Sequence, residues 1–304
     1  MSKEFTFNRI TIIGIAELPE PILDRLQELS QAEIIIFEKI EDTNETIIHQ
    51  TDCLLVSIRI NINASFLTES KKLKYVGVYG SSLNNIDLDM ATQLGICVSK
   101  VVGYCDRETA EFVILVVGAL VRGLLRNDWP EFPYSLHGKT LGIVGMGNVG
   151  MSLSPLAISM GMQVLYYSKN RKPMLENHQL KYTDLPQLLS QSDIISLHVP
   201  PHVRVLTTED FSYLRRQAIL VNTCIGRVFD EQDLIKWLSC SDNTVIFDAI
   251  AAQSYPNIFS QSNAIRCQQS AYATLESIST RQEKFIQNVY NFIENIENVV
   301  SSPQ

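Results

Sequence analysis

The stretch LHGKTLGIVGMGNVG (136–150) constrains this chain more than any other. Its apolar residues Thr140–Val144 have the β-rich character of a buried strand. They run without a spacer into Gly145-Met146-Gly147-Asn148-Val149-Gly150, and helix-forming residues follow. G-x-G-x-x-G has physical content in a strand–turn–helix setting. Gly145 permits the tight turn, Gly147 lets a ligand's pyrophosphate approach the backbone, and Gly150 lets helix and strand pack closely. The amides of Asn148, Val149 and Gly150 then open a helix whose positive end faces the phosphates. A strand that turns straight into a helix belongs to a parallel sheet covered on both faces.

The rest of the chain repeats this alternation. Strand-sized runs at Ile10–Ile15, Glu33–Phe37, Cys53–Val56 and Tyr75–Val78 form one series. Thr140–Val144, Met162–Tyr167, Ile194–Leu197, Ala218–Val221 and Thr244–Phe247 form another, with helical spacing between them. At 304 residues, two α/β domains are expected. The spacing predicts a long apolar helix over Thr109–Arg126, between the series, and a one-sided helix over Ile278–Val299.

A net charge of −8 excludes a general phosphate-backbone binder, so no nucleic-acid partner is expected. The longest apolar run, Phe112–Leu125, is too short for a bilayer and contains Arg122, and the N-terminus has no export-type apolar core. A cytoplasmic protein without membrane contact is expected. Six scattered cysteines with no C-x-x-C pair predict reduced thiols and no metal site.

The second strand of the later series ends at Ser168-Lys169-Asn170-Arg171-Lys172. An NAD-specific site places a carboxylate about here, on the ribose 2′-hydroxyl. Ser168 carries no charge to repel a 2′-phosphate, and Lys169 and Arg171 are suited to hold one. These residues favour NADP over NAD as cofactor; the plainer reading is a solvated cationic loop.

Five segments in order resemble the D-isomer-specific 2-hydroxyacid dehydrogenases: LKYVGVYGSSLNNIDLDMATQLGICV, GYCDRETAEFVILVVGALVRGL, LHGKTLGIVGMGNVG, SDIISLHVPP and ILVNTCIGRVFDEQDLIKWL. The resemblance covers about residues 51–299. It implies two doubly wound parallel-sheet domains with a cleft between them. Residues 1–100 with 276–304 would be a flavodoxin-like substrate domain, and 101–275 a Rossmann-like NAD(P)-binding domain. By position, Val199 and Pro200 would line the cofactor cleft, Thr223 to Ile225 would pass beside the nicotinamide ribose, and Asp248 would meet the carboxamide. A homodimer is implied as well, with the apolar linking helix seeking a partner surface.

The resemblance also implies an Arg that clamps the substrate carboxylate, a His that carries the proton, and a Glu that orients the His. Here these positions are Ile225, Gln269 and Ala251. Ile and Ala neither ionise nor donate, and Gln donates a hydrogen bond without shuttling a proton. Loss of one general acid typically costs about 10²–10⁴ in rate, so no catalytic residue is assigned. Substitutes are few: His202, Arg227, Arg266, Tyr79, Tyr104 and Tyr272 stand near the altered segments, and the loops carrying Arg59 and Ser81-Ser82 are altered too. Three readings follow, one of them an ordinary 2-hydroxyacid dehydrogenase. Another is an oxidoreductase-like protein with altered reductase chemistry on a non-standard small-molecule substrate; the third is a cofactor-binding pseudoenzyme acting through protein or ligand binding.

Overall fold

The computed structural model describes residues 6–15, 18–125, 133–201, 203–240 and 242–301, with no side-chain description from 297 onward. In the first series, strands β1 (Ile10–Ile13), β2 (Ile35–Phe37), β3 (Cys53–Ser57), β4 (Tyr75–Tyr79) and β5 (Cys97–Lys100) alternate with helices α1 (Glu20–Glu28), α2 (Glu45–Gln50), α3 (Ala64–Glu69) and α4 (Leu88–Gln93). Helix α5 (Asp106–Val121) begins the second series. There β6 (Thr140–Val144), β7 (Gln163–Tyr167), β8 (Leu180–Tyr182), β9 (Ile194–Leu197), β10 (Ile219–Asn222), β11 (Thr244–Phe247) and β12 (Ala264–Arg266) alternate with α6 (Asn148–Ser159), α7 (Leu185–Gln191), α8 (Thr208–Tyr213) and α9 (Glu231–Leu238). The chain ends on α10 (Leu275–Ser301). Contacts divide it into two compact units, Met1–Tyr104 with Leu275–Gln304, and Cys105–Thr274.

Every strand pair is parallel. The first unit's sheet runs β2-β1-β3-β4-β5, the flavodoxin-like order. The second runs β12-β11-β10-β9-β6-β7-β8, so its first strand is flanked by its second on one side and its fourth on the other. That reversal is the doubly wound, Rossmann-type order.

Strands buried on both faces explain the unbroken apolar runs. In the second sheet Val144, Ile195, Leu220 and Val245 enter one buried cluster, with α7 and α9. Their neighbours Ile143, Ile194, Val221 and Ile246 enter the opposite cluster, with α5 and α6. Period-two side-chain alternation thus fills two cores from one strand.

Helix α10 returns to the first unit. Phe285, Ile286, Val289 and Ile293 are its buried stripe, and its rings stack on the sheet: Phe285 lies edge-on to Tyr79 at 5.0 Å and Phe292 lies 4.8 Å from Tyr75. Helix α5 stops at Val121, short of the expected 126. Gly123 takes φ +73°, and the Leu124 and Gly123 amides donate to Ala119 and Leu120 oxygens. A glycine in the left-handed region with this bond pair terminates a helix whatever the apolarity beyond it. Three further strands, β5, β8 and β12, lack the long apolar runs of the others because each lies at a sheet edge. Among the described residues no helix is long and apolar enough to cross a membrane.

Candidate functional site

Because the second sheet is parallel, the carboxyl ends of all its strands share one edge. Gly145 follows β6, Ser168 follows β7, Val199 lies just beyond β9, Thr223 follows β10, Asp248 follows β11 and Gln269 lies just beyond β12. The strand order reverses between β6 and β9, and in open α/β sheets ligands bind in the crevice at such a point. The topology gathers residues spread over more than 120 positions onto that edge.

The turn after β6 is built by close approach. The Gly145 amide donates to Tyr167 O (2.8 Å), and His198, after β9, donates its amide to Val144 O (2.8 Å). Gly145 takes φ +103°, and a β-carbon there would collide with the His198 backbone carbonyl. Gly147 differs: its φ is −84°, and a β-carbon would meet nothing within 4 Å. It is the N-cap of α6 and supplies no side-chain acceptor, so the first-turn amides are left for an external one. An open glycine beside uncapped amides fits a dinucleotide pyrophosphate, which the backbone of Gly147–Gly150 would hold. Pro200 is exposed, Val199 and Thr223 are half-buried, and Asn148 is exposed at the helix start while Val149 is half-buried.

Beyond β7, Ser168 is half-buried and Lys169 exposed. Arg171, expected to await a phosphate, is committed elsewhere: its Nε and Nη2 donate to the two carboxylate oxygens of Glu176 at 2.8 and 2.7 Å. Its guanidinium also lies over the Tyr182 ring at 5.2 Å. The reason is a short loop that brings a carboxylate within reach of the fork, which sequence reasoning did not include.

Asp248 is buried. Its Oδ1 accepts the Ala251 amide (2.8 Å) and its Oδ2 the Ala271 amide (2.9 Å), so it ties the loop after β11 to the loop after β12. Burial raises its pKa, and the backbone donors hold the rise in check. The Ala249 amide donates to Gln269 O (3.1 Å) in the same tie. Ala251 is fully buried, Gln269 exposed and Ile225 36% exposed.

None of the described nearby substitutes is poised as a clamp. Arg227 donates through Nε to Ser254 O (3.2 Å) and lies 3.7 Å from Glu231. Arg266 lies over the Phe259 ring. The His198 ring is hydrogen-bonded to Ser196 Oγ at 2.8 Å, and burial lowers its pKa to about 4, so it is neutral near pH 7. His202 lies outside the described residues. Tyr79, Tyr104 and Arg59 belong to the other unit, where Tyr79 packs against Phe285 and the Arg281 guanidinium. Among the described residues no cluster of His, Cys, Asp and Glu is arranged to hold a metal.

One role escaped sequence reasoning. Cys224 is buried between β9 and β10; its thiol donates to Leu197 O (3.2 Å) and accepts the Val199 amide (3.4 Å). Burial pushes that thiol up to about 12, which keeps it protonated and unreactive. It fastens Val199 to the strand-end loop; a lone cysteine just past a strand carries no sequence signal of such a role.

The profile described as "D-isomer specific 2-hydroxyacid dehydrogenase, NAD binding domain" matches residues 119–263. The glyoxylate reductase of Thermococcus litoralis is 29% identical over 273 residues, covering 81% of each chain. That of Korarchaeum cryptofilum is 30% identical over 250 residues, covering 73% of each. A D-lactate dehydrogenase from Aquifex aeolicus, solved with NAD and lactic acid, superposes with a TM-score of 0.81 at 21% identity over 97% of this chain and all of that one, a likeness of fold. With the Rossmann-type order and the glycine turn, these matches make the chain a member of the D-isomer-specific 2-hydroxyacid dehydrogenase family, with the family's NAD-binding domain.

Proposed function

We propose that this chain binds a nicotinamide dinucleotide at the Gly145–Gly150 turn, NADPH in preference to NADH, and performs reductase chemistry that departs from ordinary 2-hydroxyacid turnover. The observation that carries the departure is the set Ile225, Ala251 and Gln269 at the carboxyl edge of the second sheet. None can clamp a carboxylate bidentately or exchange a proton near neutral pH. Arg227 and Arg266, the nearest alternatives in sequence, are engaged by Ser254, Glu231 and Phe259.

The cofactor, when bound, supplies the hydride. The chain's own contribution is to bind and orient: Gly147–Gly150 amides take the pyrophosphate, Val199 and Pro200 line the cofactor's path, and Thr223 stands beside the ribose. Asp248 acts through the loops it fastens, which carry Ala251 and Gln269. An apolar Ile225 and a neutral Gln269 suit a substrate that needs no carboxylate clamp, with Gln269 available to hydrogen-bond a carbonyl. The NADPH preference rests on Ser168, which lacks a repelling carboxylate, and on the exposed Lys169.

The second reading, a cofactor-binding protein without turnover, is favoured by the same three positions, since Ile225 and Ala251 cannot ionise and Gln269 cannot exchange a proton. A homodimer through α5 is part of the proposal: Leu115 is 69% exposed on that helix and Leu124 77% exposed just after it.

Turnover of glyoxylate, hydroxypyruvate, pyruvate and bulky 2-oxo acids with each cofactor is the test. Weak or absent oxidation of cofactor with these acids is expected, alongside measurable cofactor binding. Rates typical of enzymes, on the order of 10 s⁻¹, with any of them overturn the departure. Ile225→Arg with Gln269→His is expected to fold normally, since both sites are on the surface. Adding Ala251→Glu places a carboxylate in a fully buried position and should lower the melting temperature.

A further inference from the structure

The end of β7 is where a site of this topology meets the adenine ribose, so the charges there discriminate a 2′-hydroxyl from a 2′-phosphate. Such a role rests on the dinucleotide binding proposed for the Gly145–Gly150 turn. Arg171 is the cation whose forks match a phosphate in shape, yet its Nε/Nη2 fork is filled and its charge is paired. Its Nε and Nη2 hold both oxygens of Glu176. Glu176 is fixed in turn: Tyr166 OH donates to its Oε1 at 2.8 Å, and the Tyr166 oxygen accepts the Lys172 amide at 2.8 Å.

The pair is asymmetric. The Arg171 side chain is 56% exposed and that of Glu176 only 19%, so the carboxylate sits inside and the guanidinium outside. The hydrogen bond from Arg171 holds the Glu176 carboxyl down to about 2, and Glu176 raises the Arg171 pKa, so both stay charged across the working range. A 2′-phosphate arriving from solvent therefore finds a neutralised pair. The Nη1/Nη2 edge of Arg171 is left to it, but with the charge of the guanidinium offset by Glu176.

We propose that Glu176 is a specificity-determining residue: by occupying the Nε/Nη2 edge of Arg171 and offsetting its charge it limits this chain's gain from a 2′-phosphate and keeps NADH usable. Removing the carboxylate charge leaves Arg171 with an uncompensated positive charge for a phosphate. Glu176→Gln is the informative change, since it retains an oxygen for Tyr166 OH and stays close to the same size.

Dissociation constants of NADPH and NADH, measured by fluorescence titration on the full chain, test this with Glu176→Gln, Arg171→Gln and the double variant. In Glu176→Gln the NADPH constant should fall by at least about tenfold, the scale of one added charge-assisted hydrogen bond, while the NADH constant stays within about twofold. That gain should vanish in the double variant. Arg171→Gln alone should weaken NADPH by less than about threefold, below the tenfold scale of such a bond. An unchanged NADPH-to-NADH ratio in Glu176→Gln overturns the proposal. So does a loss of about tenfold or more in Arg171→Gln alone, because Arg171 would then hold the phosphate despite Glu176; this arm stands even if Glu176→Gln folds poorly. A wild-type chain that prefers NADH, with a ratio that still moves in Glu176→Gln, supports the role of Glu176 and overturns only the NADPH preference. Binding of neither cofactor by any variant overturns both.

Discussion

Replacing Gly147 with alanine separates a requirement of folding from a requirement of binding. At this position the backbone already has φ −84°, which alanine adopts freely, and the new β-carbon meets nothing within 4 Å. Two small effects on stability oppose each other. Alanine narrows the unfolded ensemble, worth about 0.4–1 kcal/mol in favour of the fold. Against this, Gly147 is the N-cap of α6, a place where alanine is disfavoured relative to glycine by about 0.5–1 kcal/mol. The sum lies within about 1 kcal/mol of zero, a melting-temperature change of about 2–4 °C at most for a unit of this size. For a dinucleotide the same β-carbon stands where the pyrophosphate must approach. Losing even one backbone amide contact to a phosphate forfeits about 1.5–3 kcal/mol, so the dissociation constant should rise by about tenfold to a hundredfold. Thermal melting without ligand and fluorescence titration with NADH and NADPH measure the two quantities on one sample. A dissociation constant within about threefold of wild type, well short of one such contact, refutes the phosphate cradle. A melting temperature lowered by much more than about 4 °C refutes the open space at Gly147.

His198 supplies a pH prediction. Its folded-state pKa, about 4, is depressed by burial below an unfolded value of about 6.5, so the neutral ring's contribution is fully present above 6.5 and is lost as pH falls through 4. The loss should reach about 3 kcal/mol, read as a steepened fall in melting temperature between pH 6.5 and 4 that His198→Gln flattens. Asp248→Ala strips acceptors from the Ala251 and Ala271 amides, and at about 1–3 kcal/mol for each orphaned donor it should destabilise the second unit and weaken cofactor binding. A melting temperature equal to wild type would show that the two loops do not depend on this carboxylate.

The long strands and the long helices were legible because burial on both faces leaves an unbroken apolar run and burial on one face leaves a stripe. Strands β6, β9 and β11 match their sequence-derived bounds for that reason. Edge strands β5, β8 and β12 were not legible, since an edge strand is short and partly solvated; β2, also at an edge, showed because its Ile34–Phe37 run is wholly apolar. Helix α5 ended early because a single left-handed glycine outweighs the apolar residues beyond it.

The amino-acid sequence alone determined the α/β class, the glycine turn, the family resemblance and the absence of ionisable groups at 225, 251 and 269. These are properties of residue identity and local spacing, and they survive any arrangement of the parts. Tertiary structure alone decided what each charged or polar group is paired with. Arg171 and Glu176 are five residues apart around a short 3₁₀ turn at Pro173–Leu175, and Asp248 reaches Ala271 across twenty-three residues. Whether a cation is free for a phosphate, or a carboxylate free for a carboxamide, depends on partners that only the folded chain brings within hydrogen-bonding distance, because such bonds weaken steeply with distance and angle.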